Sequence, residues 1–105
     1  MRGRVHFIGV GGTGMSGLMR VVAARDWIVS GSDTVESPRT LALLEDGFEV
    51  WTDGPRPDQA TAADIVVHSA AVPDTDPERR AVEEAGVEIM KYAGALARAA
   101  RGRHT

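Results

Sequence analysis

Gly9-Val10-Gly11-Gly12-Thr13-Gly14-Met15-Ser16-Gly17 is the stretch whose reading decides the fold, and five of its nine residues are glycine. Before it stands Val5-His6-Phe7-Ile8, which reads as a buried strand. After it, Met15, Leu18, Met19 and Val22 fall at i, i+3, i+4 and i+7, one face of a helix. The glycines therefore occupy a strand-to-helix turn, the context that separates a phosphate-binding loop from a chance glycine run. Without a Cβ, backbone N–H groups can approach an anion closely. The helix N-terminus adds unpaired N–H groups and partial positive charge. Together they suit a phosphate or diphosphate. Gly9, Gly11 and Gly14 match G-x-G-x-x-G, and Gly12, Gly14 and Gly17 repeat it three residues on. The competing reading is a tight turn that packs helix on sheet and holds no ligand.

Outward from the loop the chain alternates strand and helix to its end. The first helix is expected from Thr13, as cap, to about Arg25. Trp27-Ile28-Val29 opens a second strand that closes through Ser30-Gly31-Ser32-Asp33. Asp33 lies 19 residues after Gly14, near the distance at which a dinucleotide fold places an acid on a ribose. Its alternative role is a turn or cap. Ser37-Pro38 starts the next helix, with serine as cap and proline at the first helical position, and Gly47 ends it. Phe48 to Trp51 is a third strand. Thr52 to Gln59 is a loop, with one helical turn near Pro57 to Ala60. Asp64 to Ser69 is a fourth strand, apolar at its centre as a strand covered on both faces should be. A loop of small residues, Ala70 to Asp76, precedes a helix from Pro77 to Ala85 that Gly86 closes. Val87 to Met90 is a fifth strand and Lys91 to Arg101 a last helix, with Arg98, Arg101 and Arg103 as a basic end.

This alternation predicts an α/β fold: a Rossmann-like, doubly wound, parallel five-stranded sheet in the order 3-2-1-4-5. Ligands in such sheets bind beyond the carboxyl ends of the strands, where the order reverses between strands 1 and 4. The glycine loop, Asp33 and the Ser69–Pro73 loop all fall there.

Composition narrows the classes. The 105 residues suit one domain. A formal net charge of −3 argues against a nucleic-acid surface. With no cysteine there is no disulfide framework or thiolate metal site. No apolar run approaches membrane-spanning length and no signal peptide is visible, so a cytoplasmic location and no membrane partner are expected. His6, His68 and His104 lack metal-ligand spacing, and no metal site is expected. His68, at a strand end, reads as a buried strand histidine with a hydrogen-bond partner rather than a general base, although its position allows ligand contact. Trp27 and Trp51 read as packing or rim residues. Met15 and Met19 read as core, with the Met15 backbone close enough to touch a ligand.

Val5 to Gly17 closely resembles the opening of the alanine-adding branch of the Mur ligase family. Ser30-Gly31-Ser32-Asp33 is similar to that family's second-strand motif. Ser69-Ala70-Ala71-Val72-Pro73, followed by Asp76-Pro77-Glu78, is similar to its fourth-strand loop. The resemblance covers nearly the whole chain and implies a domain that holds the UDP part of UDP-N-acetylmuramate. By it, Gly11, Gly12, Thr13, Gly14, Met15 and Ser16 would hold the diphosphate, and uridine would lie near Asp33 and the loop of Ser69 and Ala70, beside His68, whose strand-end position allows ligand contact. No catalytic residue is assigned. Family members are about four times longer and use ATP and Mg²⁺ to form an acyl phosphate that the L-alanine amine attacks. Here no G-x-x-x-x-G-K-[ST] occurs. ATP-binding and C-terminal domains are expected to be missing partners, with no cofactor in this fragment and no ligation by it alone. Lys91-Tyr92-Ala93-Gly94 stands where the family often has an arginine followed by Ala-Glu. A recycling ligase that joins tripeptide to the same sugar nucleotide shares the layout, but Gly14-Met15-Ser16-Gly17 fits the alanine-adding branch better. The rival class is a NAD-binding domain of an oxidoreductase or regulator.

Overall fold

Five parallel strands form one sheet in the order β3-β2-β1-β4-β5, the order the alternation predicts. The structure is a computed structural model that describes residues 3–12 and 14–101, with side chains as far as Arg98. Thr13, expected both as helix cap and as site residue, lies outside the described residues, as do Arg103 and His104. The elements are β1 (Gly3–Ile8), α1 (Met15–Ala23), β2 (Trp27–Ser32), α2 (Pro38–Glu45), β3 (Glu49–Trp51), α3 (Pro57–Thr61), β4 (Ile65–His68), α4 (Pro77–Ala85), β5 (Glu88–Lys91) and α5 (Tyr92–Arg101).

Strand periodicity sorts the side chains between two layers. Val5 and Phe7 of β1 point to one face and join Met15, Leu18 and Met19 of α1, Leu43 of α2 and Ala95 of α5 in the larger core. Ile8 points to the other face and meets Ala60 of α3, Val66 of β4 and Val82 of α4. Parity therefore sends His6, two residues before Ile8, toward the α3/α4 layer. The β1–β2 register pairs His6 with Ser30 and Ile8 with Ser32, so both serines stand on that same face. A buried apolar face would be the default there; this chain places polar groups instead, and they must find partners.

The helix ends follow local chemistry. Ser37 caps α2 in a capping box, its side chain accepting from Thr40 N while the Thr40 hydroxyl accepts from Ser37 N. Asp76 caps α4, accepting from the amides of Glu78 and Arg79. The start of α1 differs from expectation. Gly14, at φ +80°, is the residue that precedes Met15, and it adopts the left-handed conformation that glycine tolerates. The helix begins two residues later than Thr13 because the chain spends Gly14 on that reversal.

Candidate functional site

A cleft of about 810 Å³ opens at the carboxyl ends of the strands, where the sheet order reverses. That volume is within the range of small-molecule sites, roughly 300–1,000 Å³. Ile8, Gly9, Gly11 and Gly12 form its floor. Ser32 to Val35 with Thr52 to Pro55 form one wall, and Ser69, Ala71, Val72 and Pro73 with Asp76 to Glu78 form the other.

The floor is a tight loop held by its own backbone. Gly9 and Val10 donate to the Ser32 carbonyl at 2.8 and 3.0 Å, Gly12 N donates to Gly9 O at 2.9 Å, and Met15 N donates to Gly12 O at 3.1 Å. Gly11 N donates to Asp33 Oδ2 at 2.8 Å. A Cβ on Gly11 would stand 2.8 Å from that same oxygen, and one on Gly12 would stand 3.2 Å from Gly9 O. A side chain at Gly11 would have to displace the Asp33 carboxylate that holds its own amide, and one at Gly12 would press on the Gly9 carbonyl by a few tenths of an ångström. The second loop is held in the same manner: Val72 N donates to Ser69 O, and Arg79 Nη1 donates to Val72 O from α4.

Of the ten expected site residues, Gly11, Gly12, Asp33 and Ser69 line the cleft. Gly14, Met15, Ser16, His68 and Ala70 are not among its lining residues, and Thr13 lies outside the described ones. Met15 is fully buried in the core and its amide is already bonded, so neither its side chain nor its N–H faces the cleft. Gly14 faces the Tyr92 ring of α5: a Cβ there would collide with the Tyr92 hydroxyl. His68 is buried and donates from Nδ1 to the Ser69 carbonyl at 3.0 Å, the hydrogen-bonded strand histidine of the non-catalytic reading. Asp33 departs from a ribose acceptor in waiting. Its Oδ2 takes the Gly11 amide and its Oδ1 takes Val35 N at 3.2 Å, so the carboxylate holds the floor and wall together.

The least foreseen group is Glu78. It is 2% exposed, at the base of the second wall. Its Oε1 accepts from Ser32 Oγ at 2.6 Å and from His6 Nε2 at 2.7 Å. Its Oε2 accepts from Arg56 N at 2.6 Å. The other nitrogen of the fully buried His6 ring, Nδ1, meets Ser30 Oγ at 2.8 Å. Burial pushes the Glu78 carboxyl up, but the hydrogen bonds from His6, Ser32 and the Arg56 amide, with the charge of His6, outweigh it and hold the group below the ordinary glutamate value. Spacing could not reveal this cluster, because His6 and Glu78 are separated by 72 residues. The available signal was parity: a histidine between two buried apolar strand residues, on the face where Ser30 and Ser32 also lie.

Among the described residues the cleft lining contains four carboxylates, Asp33, Asp53, Asp76 and Glu78, and no lysine or arginine. Each carboxylate is engaged with the protein itself: Asp53 with Arg56 Nη2 at 2.9 Å, and Asp76 with the first turn of α4. Arg39 of α2 brings a cation to the floor, its Nη1 donating to Gly11 O at 3.2 Å. Among the described residues no group of three or more His, Cys, Asp or Glu side chains is arranged to hold a metal ion.

A family model described as "Mur ligase family, catalytic domain" matches residues 4–104. The UDP-N-acetylmuramate–L-alanine ligase of Symbiobacterium thermophilum is 42% identical over 100 residues, covering 95% of this chain and 21% of the relative. That of Acidothermus cellulolyticus is 45% identical over 101 residues, covering 96% and 21%. Among solved structures, the UDP-N-acetylmuramate–alanine ligase of Thermotoga maritima superposes with a TM-score of 0.83 at 27% identity, over 90% of this chain and 22% of that one. A semialdehyde dehydrogenase NAD-binding protein from Cupriavidus necator, in complex with calcium and NAD, shares the fold at a TM-score of 0.61 and 21% identity, over 90% and 37%. The chain spans about a fifth of the length of the curated relatives it matches.

Proposed function

The chain belongs to the Mur ligase family, and from that premise we propose that it is the UDP-N-acetylmuramate-binding domain of a ligase that adds L-alanine in peptidoglycan precursor synthesis. The observation that supports this most is the cleft at the strand-order reversal, floored by the Gly9–Gly12 turn and large enough for a nucleotide sugar. In this reading the diphosphate rests where the loop meets α1, against the amides that follow Gly12 and the positive end of the helix. Gly11 and Gly12 contribute by leaving room, since their own N–H groups are bonded to Asp33 and Gly9. Thr13, Gly14 and Ser16 remain the proposed diphosphate contacts. Ser69 and the small residues after it flank the nucleoside, and Asp33 supports it from the opposite side.

The group that ATP and Mg²⁺ act on in the whole enzyme, the muramate carboxyl, would be presented by this domain to others. ATP supplies activation of that carboxyl. The residues here bind and orient, and no residue of this chain is assigned a chemical step. The proposed setting is the cytoplasm.

Calorimetric titration with UDP-N-acetylmuramate and with NAD tests the reading. Saturable binding of the sugar nucleotide, with amide shifts at Gly11 to Ser16, Asp33 and Ser69 to Val72, is the expected result. Saturable binding of NAD alone would reassign the chain to the dinucleotide-binding class.

A further inference from the structure

We propose that Glu78 is a positioning residue that sets the width of the cleft, acting through the Thr52–Pro55 wall and not through the ligand; the proposal rests on the cleft being the sugar-nucleotide site. Glu78 is 2% exposed, and its carboxylate receives donors from three separate parts of the chain: His6 on β1, Ser32 on β2, and the Arg56 amide just before α3. Three donors on one carboxylate leave little acceptor capacity for a ligand.

What the carboxylate holds is a wall. Thr52, Asp53, Gly54 and Pro55 line the cleft and connect β3 to α3. Arg56, the N-cap of α3, has no side-chain cap bond there. Its amide is satisfied from across the cleft base by Oε2 of Glu78, at 2.6 Å. Bonds of an ionised acceptor are the shorter and stronger class. The side-chain restraints on this stretch are an exposed Arg56–Asp53 ion pair three residues apart, of a class that holds weakly, and the Arg56 guanidinium 5.7 Å over the Trp51 ring. Glu78 itself cannot drift, because the cap on Asp76 fixes the first turn of α4 and Ser32 and His6 fix Oε1. One buried group thus joins the two walls on opposite sides of the strand-order reversal. If that joint loosens, the wall opens and a bound nucleotide sugar loses contact on one side.

The experiment uses the ¹⁵N-labelled 105-residue chain. Without ligand, the Arg56 amide should resonate downfield and exchange with solvent far more slowly than its neighbours Asp53 and Gly54. Exchange at the same rate as Gly54 would overturn the proposal. In Glu78→Gln one oxygen becomes a donor facing either Arg56 or the His6–Ser32 pair. The Arg56 amide should then move upfield, and UDP-N-acetylmuramate should bind about 10-fold more weakly, the size expected for a lost bond to a charged group. Melting temperature should fall by a proportion too small to account for that loss, with shift changes centred on residues 52–56. A folded variant with wild-type affinity would overturn the role of Glu78 while leaving the site reading intact. A protected Arg56 in a wild-type chain that binds no sugar nucleotide would overturn the site reading and the role with it. Should Glu78→Gln fail to fold, Ser32→Ala removes one donor to the same carboxylate. It should weaken binding about threefold with an Arg56 shift in the same direction, and no change in either would overturn the proposal.

Discussion

At the scale of single residues, the floor of the cleft is a question of space measured in tenths of an ångström. Gly12 has room for its backbone and little else: a Cβ would sit 3.2 Å from Gly9 O and 3.4 Å from Ser69 Cβ. Gly12→Val must therefore push on a backbone carbonyl that accepts the residue's own amide. We expect stability to fall by about 1–3 kcal/mol, the range for overpacking, and sugar-nucleotide binding to be lost. Paired thermal melts and titrations check this, and a variant that binds as wild type would remove the loop from the site. Arg39→Ala should weaken binding severalfold with little effect on melting, since Arg39 is exposed and its loss removes a cation that touches the floor. Glu78 carries a pH prediction. It is faced by His6 from β1, Ser32 from β2 and the Arg56 amide, with Asp76 on its own helix. Its lowered pKa means that the folded state favours the ionised form. The stability this gives is fully present above the ordinary glutamate value and is lost as pH falls through the lowered one. The melting difference between wild type and Glu78→Gln should therefore shrink in acid, and a constant difference from neutral to acid pH would contradict it. Of the Glu78 network only strand parity was legible in the sequence, as a face shared by His6, Ser30 and Ser32; their acidic partner was not. Glu78 read as part of a family-like loop motif, and His6 as a strand residue, because only the folded sheet brings residues 72 apart to 2.7 Å.

At the scale of elements, the sequence was legible wherever a local rule acts alone. Ser37-Pro38 and Asp76-Pro77 place helix starts because capping needs only a side-chain oxygen and a free first turn, and α2 and α4 begin there. Gly47 and Gly86 mark ends for a similar local reason. The start of α1 was less legible: Gly14 takes φ +80° before Met15, and the space a side chain there would need is occupied by Tyr92 of the distant α5. This distinction yields a control. Gly86 ends α4 at φ +74° with nothing near its missing Cβ. Gly86→Ala should cost about 1 kcal/mol through backbone strain alone and leave ligand affinity unchanged, since the residue lies at the opposite end of α4 from the cleft. Gly14→Ala, with the same sign of φ but the Tyr92 ring in the way, should cost more. Denaturant melts of the pair separate conformational strain from collision, and equal losses would show that the Tyr92 contact is easily displaced.

At the scale of the whole molecule, topology and ligand separate. The order β3-β2-β1-β4-β5 was legible because complete strand–helix alternation leaves few right-handed arrangements, and the cleft follows from where that order reverses. The same sheet serves proteins that bind NAD, so the fold alone does not choose the ligand. The choice is made by how the cleft is lined. A dinucleotide site of this type offers a free acid to a ribose at the end of β2. Here both oxygens of Asp33 are bonded to backbone amides of the floor and wall, so a ribose would have to compete with Gly11 and Val35. The remaining carboxylates also serve the protein, and the polar surface left to a ligand is largely backbone and small hydroxyls. Such a lining suits a diphosphate held at a helix N-terminus better than an acid-bound adenosine. Asp33→Asn provides the discriminating case. An amide keeps one acceptor, so it should loosen the Gly11 turn and weaken UDP-N-acetylmuramate severalfold, while NAD binding stays undetectable in both forms. If NAD binds the wild-type chain and Asp33→Asn abolishes it, Asp33 is a ribose acceptor after all, and the cleft belongs to a dinucleotide.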